Sequence, residues 1–247
     1  MKNFTKTIVD IVMGAIIPII ILNQFSSPDR LGPIAAYVLA AMVPVAWVFV
    51  DLLFVTRKFN LITSYVGFAS IVGGLLTFWF VDGVLFAIKD TIGLLLRALI
   101  FSGSIALARP ILKYFFIQAL NPDTPSKTQA LDKLFAEPSV GWSFVLATWL
   151  VVAETAIAAV VNFFLNLRMV LAPFGTEAFN QQVAQVNAIT RVALSVPSVL
   201  TFGIAMWIMY RAVYRHLPAE EGKLQIESDF WDLVRLHETR RDAQASD

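Results

Sequence analysis

The sequence predicts an all-α integral membrane protein: a bundle of six transmembrane helices with short interfacial amphipathic helices. Three observations predict it. Of the 247 residues, 57% are hydrophobic and 15% charged, against roughly 45 to 50% and about 25% in soluble domains, and the mean hydropathy is +0.70. Apolar runs bounded by charges and turn residues occur at 8–25, 32–55, 61–81, 91–108, 142–166 and 191–213, each long enough for a helix that needs about 20 apolar residues to cross. With six crossings, fourteen Lys and Arg fall on one side and four in the alternate loops, which by the positive-inside rule puts both termini in the cytoplasm. Five or seven crossings would erase that asymmetry.

Taken in order, the first run follows Lys2 and Lys6 and exits through 23–27 without a small-residue cleavage pattern, so it reads as an uncleaved signal anchor. Runs one, two and six contain Pro18, Pro44 and Pro197, each of which removes a backbone hydrogen bond. Run three carries Gly67, Gly73 and Gly74, a small-residue surface suited to close helix contact. Trp79 and Trp142 stand where interfacial aromatics are expected. The 126–137 segment places Ala130, Leu131, Leu134 and Phe135 on one helical face, which predicts a short helix on the cytoplasmic surface. Thr176 is positioned to cap a helix whose Phe179, Val183, Val186 and Ile189 recur at helical spacing and which runs into the sixth span. The organisation is a membrane domain over 1–216 and a cytoplasmic tail over 217–247, in which Ser228 or Asp229 caps a helix with an apolar stripe of Phe230, Trp231, Leu233, Val234 and His237 for the membrane surface or a partner.

Composition excludes several chemistries. With no cysteine, disulfides, thiolate metal sites and iron–sulfur clusters are out, and His216 and His237 lie at or beyond the last apolar run, so no histidine-ligated metal or haem sits in the bilayer. No metal site, cofactor or catalytic residue is assigned. A net charge of +1 gives no reason to expect nucleic acid. There is no Gly-rich phosphate loop and no nucleophile beside an embedded histidine.

Charges inside spans are costly, on the order of 2.5 to 3.5 kcal/mol at the centre, and each needs a partner, water or a task. Glu154 falls near the middle of the fifth span and Arg97 inside the fourth. Their depths differ by about 9 Å at 1.5 Å per residue, which long side chains bridge, so the leading reading is a buried ion pair that fixes helix register. The functional reading is a proton or ion relay, or an anion-binding Arg97 in a wet cavity. Asp10, Asp51, Arg57, Lys58 and Arg109 form a candidate cytoplasmic-side cluster, read as interfacial pairing and attraction to anionic lipid. Asp82, Lys89 and Asn162 form a candidate outer-side polar group; Asp90 adjoins it, and Asn23, Asn162 and Asn166 are placed to hydrogen-bond across helices.

The segments TRKFN, GGLLTFWFVDGVLFAIKDT and ARPILKYFF, together with the opening VDIVMGAIIPIII, resemble the bacterial intracellular septation protein A family of small inner-membrane proteins and its uncharacterised relatives. The resemblance rests on Arg57 and Lys58, on Gly73, Gly74, Leu75 and Thr77, on Asp82, Phe86, Lys89 and Thr91, and on Asp10 and Pro18. It implies a role in cell-envelope maintenance beside elongation and division machinery, and it supplies no catalytic residue. Arg97, Glu154, the longer 121–141 loop and the tail helix depart from the family pattern. The resulting expectation is a non-enzymatic, multi-pass protein of a bacterial inner membrane. It would act as an accessory or scaffold subunit through contacts with other membrane proteins or with itself, among membrane lipids. The alternative is a small-solute or ion transporter using Arg97 and Glu154.

Overall fold

The computed structural model describes residues 2–56, 61–218 and 228–246; these are predominantly helical, and no strand occurs among them. α1 (Lys2–Ile11) passes through a π-helical turn (Val12–Ile16) into α2 (Ile17–Gln24). Pro18 gives a reason for the irregular turn, since it has no N–H to offer the carbonyl of Gly14 four residues earlier. That carbonyl accepts instead from Arg191 Nη2 at 2.6 Å. α3 (Pro33–Val50) starts on a proline, which fits a first turn, after Gly32 at φ +76°, a backbone state that favours glycine.

α4 (Leu61–Thr77), α5 (Gly83–Ala106) and α6 (Ile111–Leu120) follow, and α5 and α6 meet at 91°. The corner has local causes: Ala108 is left-handed at φ +55°, Pro110 cannot continue a helix, and Ser104 Oγ accepts the first N–H of α6, from Ile111, at 3.0 Å. α7 (Pro125–Phe135), α8 (Pro138–Met169), α9 (Glu177–Tyr214) and α10 (Phe230–Ser246) complete the chain.

All six expected apolar runs contain helix. Pro33–Val55, Pro138–Met169 and Glu177–Tyr214 are long and apolar enough to cross a membrane, and Gly83–Ala106 with Ile111–Leu120 makes a fourth if the bent pair is one span. The helices over Ile8–Gln24 and Gly67–Thr77 are apolar but shorter. α8 and α9 exceed the predicted runs: at about 1.5 Å per residue they are roughly 48 and 57 Å long.

The chain divides into two packed units, Met1–Ala98 with Glu154–Ser198, and Leu99–Ala153 with Val199–Asp247. In the first, Ile21, Leu22, Ala36, Tyr37, Phe86, Phe179, Val183 and Val186 are among the buried core residues. Thr176 caps α9, its Oγ1 accepting from Phe179 N at 3.1 Å, and the apolar face of α9 that carries Phe179, Val183 and Val186 packs into this core; Ile189 alone of the four positions at helical spacing is exposed. Of the three glycines of α4, Gly74 makes the close contact: a Cβ there would lie 3.3 Å from Val45 Cγ2, whereas at Gly67 and Gly73 it would meet nothing within 4 Å among the described residues.

The second unit is organised around Phe116, whose ring meets those of Phe135, Phe144 and Tyr210 at 4.9 to 6.0 Å. The apolar face of α7 is buried, so this helix is part of the unit's core. Asp229 caps α10 through Trp231 N at 2.8 Å. Leu233 and Val234 are buried, α10 packs on α7, and Lys127 Nζ stands 4.8 Å from the centre of the Trp231 ring. The apolar stripe of the tail therefore lies on its own chain.

Candidate functional site

The densest polar arrangement in the first unit is built on successive residues of α5, Lys89, Asp90 and Thr91. Successive helical positions are about 100° apart, so the three side chains leave α5 in different directions. Lys89, which falls between the expected apolar runs 61–81 and 91–108, is in the second turn of the helix and only 5% exposed. Its ammonium donates to Tyr37 Oη at 2.8 Å and to the Trp79 carbonyl at 2.9 Å. The rings of Tyr37 and Phe86 lie 5.0 and 5.2 Å from Nζ, within cation–π range. Phe174 and Phe179 pack edge-on around them. A buried ammonium without such partners would carry a large desolvation cost.

Asp90 faces α8. Asn162 Nδ2 and Asn166 Nδ2 both donate to its Oδ2, at 3.0 and 2.8 Å. Asn162 also reaches Thr91 Oγ1 at 3.3 Å, and Asn166 donates to the Asn162 carbonyl at 2.9 Å. The four-residue spacing of the asparagines puts them on one helix face. Asn166 is 1% exposed, and its Oδ1 has no hydrogen-bond partner among the described residues. Asp90 also interacts electrostatically with Tyr37, Lys89 and Arg191.

Asp82, Lys89 and Asn162 thus serve three neighbouring arrangements. Asp82 Oδ2 accepts from Phe174 N at 3.0 Å, tying the start of α5 to the loop before α9. A further buried link, which the sequence reading did not anticipate, is Asn180, which donates to Ser26 Oγ at 2.8 Å and to the Pro33 carbonyl at 2.7 Å.

Of the cytoplasmic-side candidates, Asp10 and Asp51 are brought together by Lys6, which contacts them at 2.9 and 3.2 Å. Trp47 Nε1 adds a bond to Asp10 Oδ1 at 2.9 Å. Partial burial pulls the Lys6 pKa down, but hydrogen bonds and charge attraction from Asp10 and Asp51 outweigh it and hold the pKa above the ordinary lysine value. The i, i+4 spacing of Lys6 and Asp10 was the available signal; the contribution of Trp47 had none. Arg57 and Lys58 lie outside the described residues, and Arg109 is exposed in the second unit.

Glu154 stands near the middle of α8. Its Oε1 accepts from Ser198 Oγ at 2.5 Å and its Oε2 from Thr155 Oγ1 at 3.4 Å. These contacts are with hydroxyls, and Arg97 is not among them. Ser198 follows Pro197 inside α9, so the carboxylate links α8 to the one turn of α9 that lacks a backbone donor.

Compared with known proteins, the chain matches no family model, no curated protein and no solved structure.

Proposed function

We propose that the chain is a six-span protein of a bacterial inner membrane, with both termini cytoplasmic, that works without catalysis as an accessory or scaffold subunit of the cell envelope. Its partners are other membrane proteins or a second copy of itself. One observation carries this reading: ionisable side chains of the first unit's helices are engaged by other helices of the same chain. Lys89 is held by Tyr37, Asp90 by Asn162 and Asn166, and Glu154 by Ser198. Such bonds hold a bundle in register, whereas a substrate path needs polar groups turned toward a solute. The resemblance of the Arg57 to Phe116 stretch to the septation protein A family supports the same setting.

The test is purification of the tagged full-length chain in mild detergent. A stoichiometric envelope protein or a stable homo-oligomer, surviving exchange into a second detergent, is expected. A monodisperse, partnerless chain that moves ions or small solutes across proteoliposomes, and loses this on Glu154→Gln or Arg97→Gln, would replace the scaffold reading with the transporter one. Charge-scanning reporters at each loop test the topology, with both termini expected inside.

A further inference from the structure

Two acceptors beside Asp90 are left unused by the arrangement that holds it. Both asparagine amides donate to Oδ2 and neither uses Oδ1, although a carboxylate accepts at both oxygens. Asn166 Oδ1, the other arm of the amide anchored on Asp90, is buried with no partner among the described residues, a state that costs about 1 to 3 kcal/mol unless a donor arrives. Missing here is a hydrogen-bond donor, and one that suits a carboxylate.

Charge narrows the choice. Lys89 and Arg191 already act on the single carboxylate of Asp90, so a bare metal cation would add to an excess of positive charge. A zwitterion brings its own anion. Arg191 gives one N–H to the Gly14 carbonyl, and a guanidinium has five, so donors remain for a phosphate. Position narrows it further. Asn162 and Asn166 lie seven and three residues before the end of α8, and Asp90 lies seven residues into α5, within roughly 10 Å of the helix ends. A helix of roughly 48 Å outreaches a hydrocarbon layer of about 30 Å, so its last turns stand among lipid headgroups. Asp90 is exposed, and exposed Ile88, Val161 and Phe164 on the same two helices offer apolar surface for acyl chains.

We infer that Asp90, Asn166 and Arg191 form a binding site for the headgroup of a zwitterionic aminophospholipid, its primary ammonium donating to Asp90 Oδ1 and Asn166 Oδ1 and its phosphate meeting Arg191. The inference rests on the membrane reading above but not on the scaffold role. A chain released from membranes by alkaline carbonate would fail that reading before any lipid is added.

The test is native mass spectrometry of the full-length chain from detergent containing equal amounts of phosphatidylethanolamine, phosphatidylcholine and phosphatidylglycerol. Phosphatidylethanolamine is expected to be retained one per chain over the other two, because choline has no N–H to donate and glycerol has no ammonium. Asp90→Asn and Arg191→Gln should each lower its occupancy about tenfold or more, the size of one charge-assisted hydrogen bond, with Asp90→Glu recovering part. Equal retention of the three lipids by the wild-type chain would overturn the site, whether or not the variants fold. Unchanged retention in a folded Asp90→Asn chain would also overturn it. Displacement of the lipid by millimolar phosphoethanolamine would overturn the lipid assignment in favour of a soluble amine; resistance to it supports the lipid.

Discussion

The Lys89 ammonium and the Tyr37 hydroxyl, fifty-two positions apart, meet at 2.8 Å inside the core of the first unit. The bond ties α5 to α3, and the Trp79 carbonyl ties the same ammonium to the chain before α5. Removing one partner of a buried charge is costlier than removing the charge. Tyr37→Phe should therefore destabilise the protein by about 1 to 3 kcal/mol, and Lys89→Met introduced into that variant should recover part of the loss. Thermal unfolding of the four proteins in one detergent checks this. Purely additive losses would show that the two side chains do not act together.

The asparagine pair makes a different prediction, because Asn162 and Asn166 share one oxygen of Asp90. Asn162→Ala and Asn166→Ala should each lower stability by about 1 kcal/mol. The double variant should lose clearly more than the sum, since one remaining amide still anchors the carboxylate and none leaves it loose beside Lys89. Denaturation midpoints of the two single variants and the double variant settle the sign of the coupling.

Two adjacent glycines of α4 should respond oppositely to alanine. At Gly74 a Cβ would crowd Val45 at 3.3 Å, while at Gly73 it meets open space. Gly73→Ala should gain about 0.5 to 1 kcal/mol from helix propensity. Gly74→Ala should lose roughly 1 kcal/mol to overpacking, with Val45→Ala relieving it. Equal effects at both positions would mean that the α3–α4 contact is not closed at Gly74.

α10 should be held by its buried leucine more than by its aromatic ring. Leu233 is fully buried, whereas Trp231 is partly open and meets Lys127 through its ring. Leu233→Ala should cost about 2 to 5 kcal/mol locally, and Trp231→Ala should lose a cation–π contact of about 0.5 to 1 kcal/mol beyond the apolar area it buries. Hydrogen exchange across 230–240 is the readout, with faster exchange expected in Leu233→Ala than in Trp231→Ala.

How much of this was legible varies by element. Apolar runs announced the helices, since each run contains one. Caps were legible where a short polar side chain precedes an apolar period, as at Thr176 and Asp229. Whether an apolar face meets lipid or protein was not legible, because bilayer and core select the same residues; the faces of α7, α10 and the start of α9 all turned inward. That Asn162 and Asn166 bond across helices was legible, but their partner Asp90 was not; the Lys6–Asp10 bridge had a signal in its i, i+4 spacing that the cytoplasmic-side cluster left out. The partners of Lys89, Glu154 and the Gly14 carbonyl depend on helix rotation, which a period fixes only to about one face in three.

Lys6 gives the pH-dependent prediction. Its folded pKa is raised by Asp10 and Asp51, so the bridge contributes stability that is fully present below the unfolded lysine value of about 10.4 and is lost as pH rises through the folded value. Lys6 is 38% exposed and solvent screens it, so the effect is small. Lys6→Met removes the ammonium that Asp10 and Asp51 share, and a deprotonated Lys6 removes the same charge. The melting temperatures of wild type and Lys6→Met should therefore differ at pH 7 to about 9, and converge above the raised lysine value. A gap of constant size across that range would assign the difference to packing of the lysine stem and remove the ion bridge between α1 and the turn after α3 as its cause.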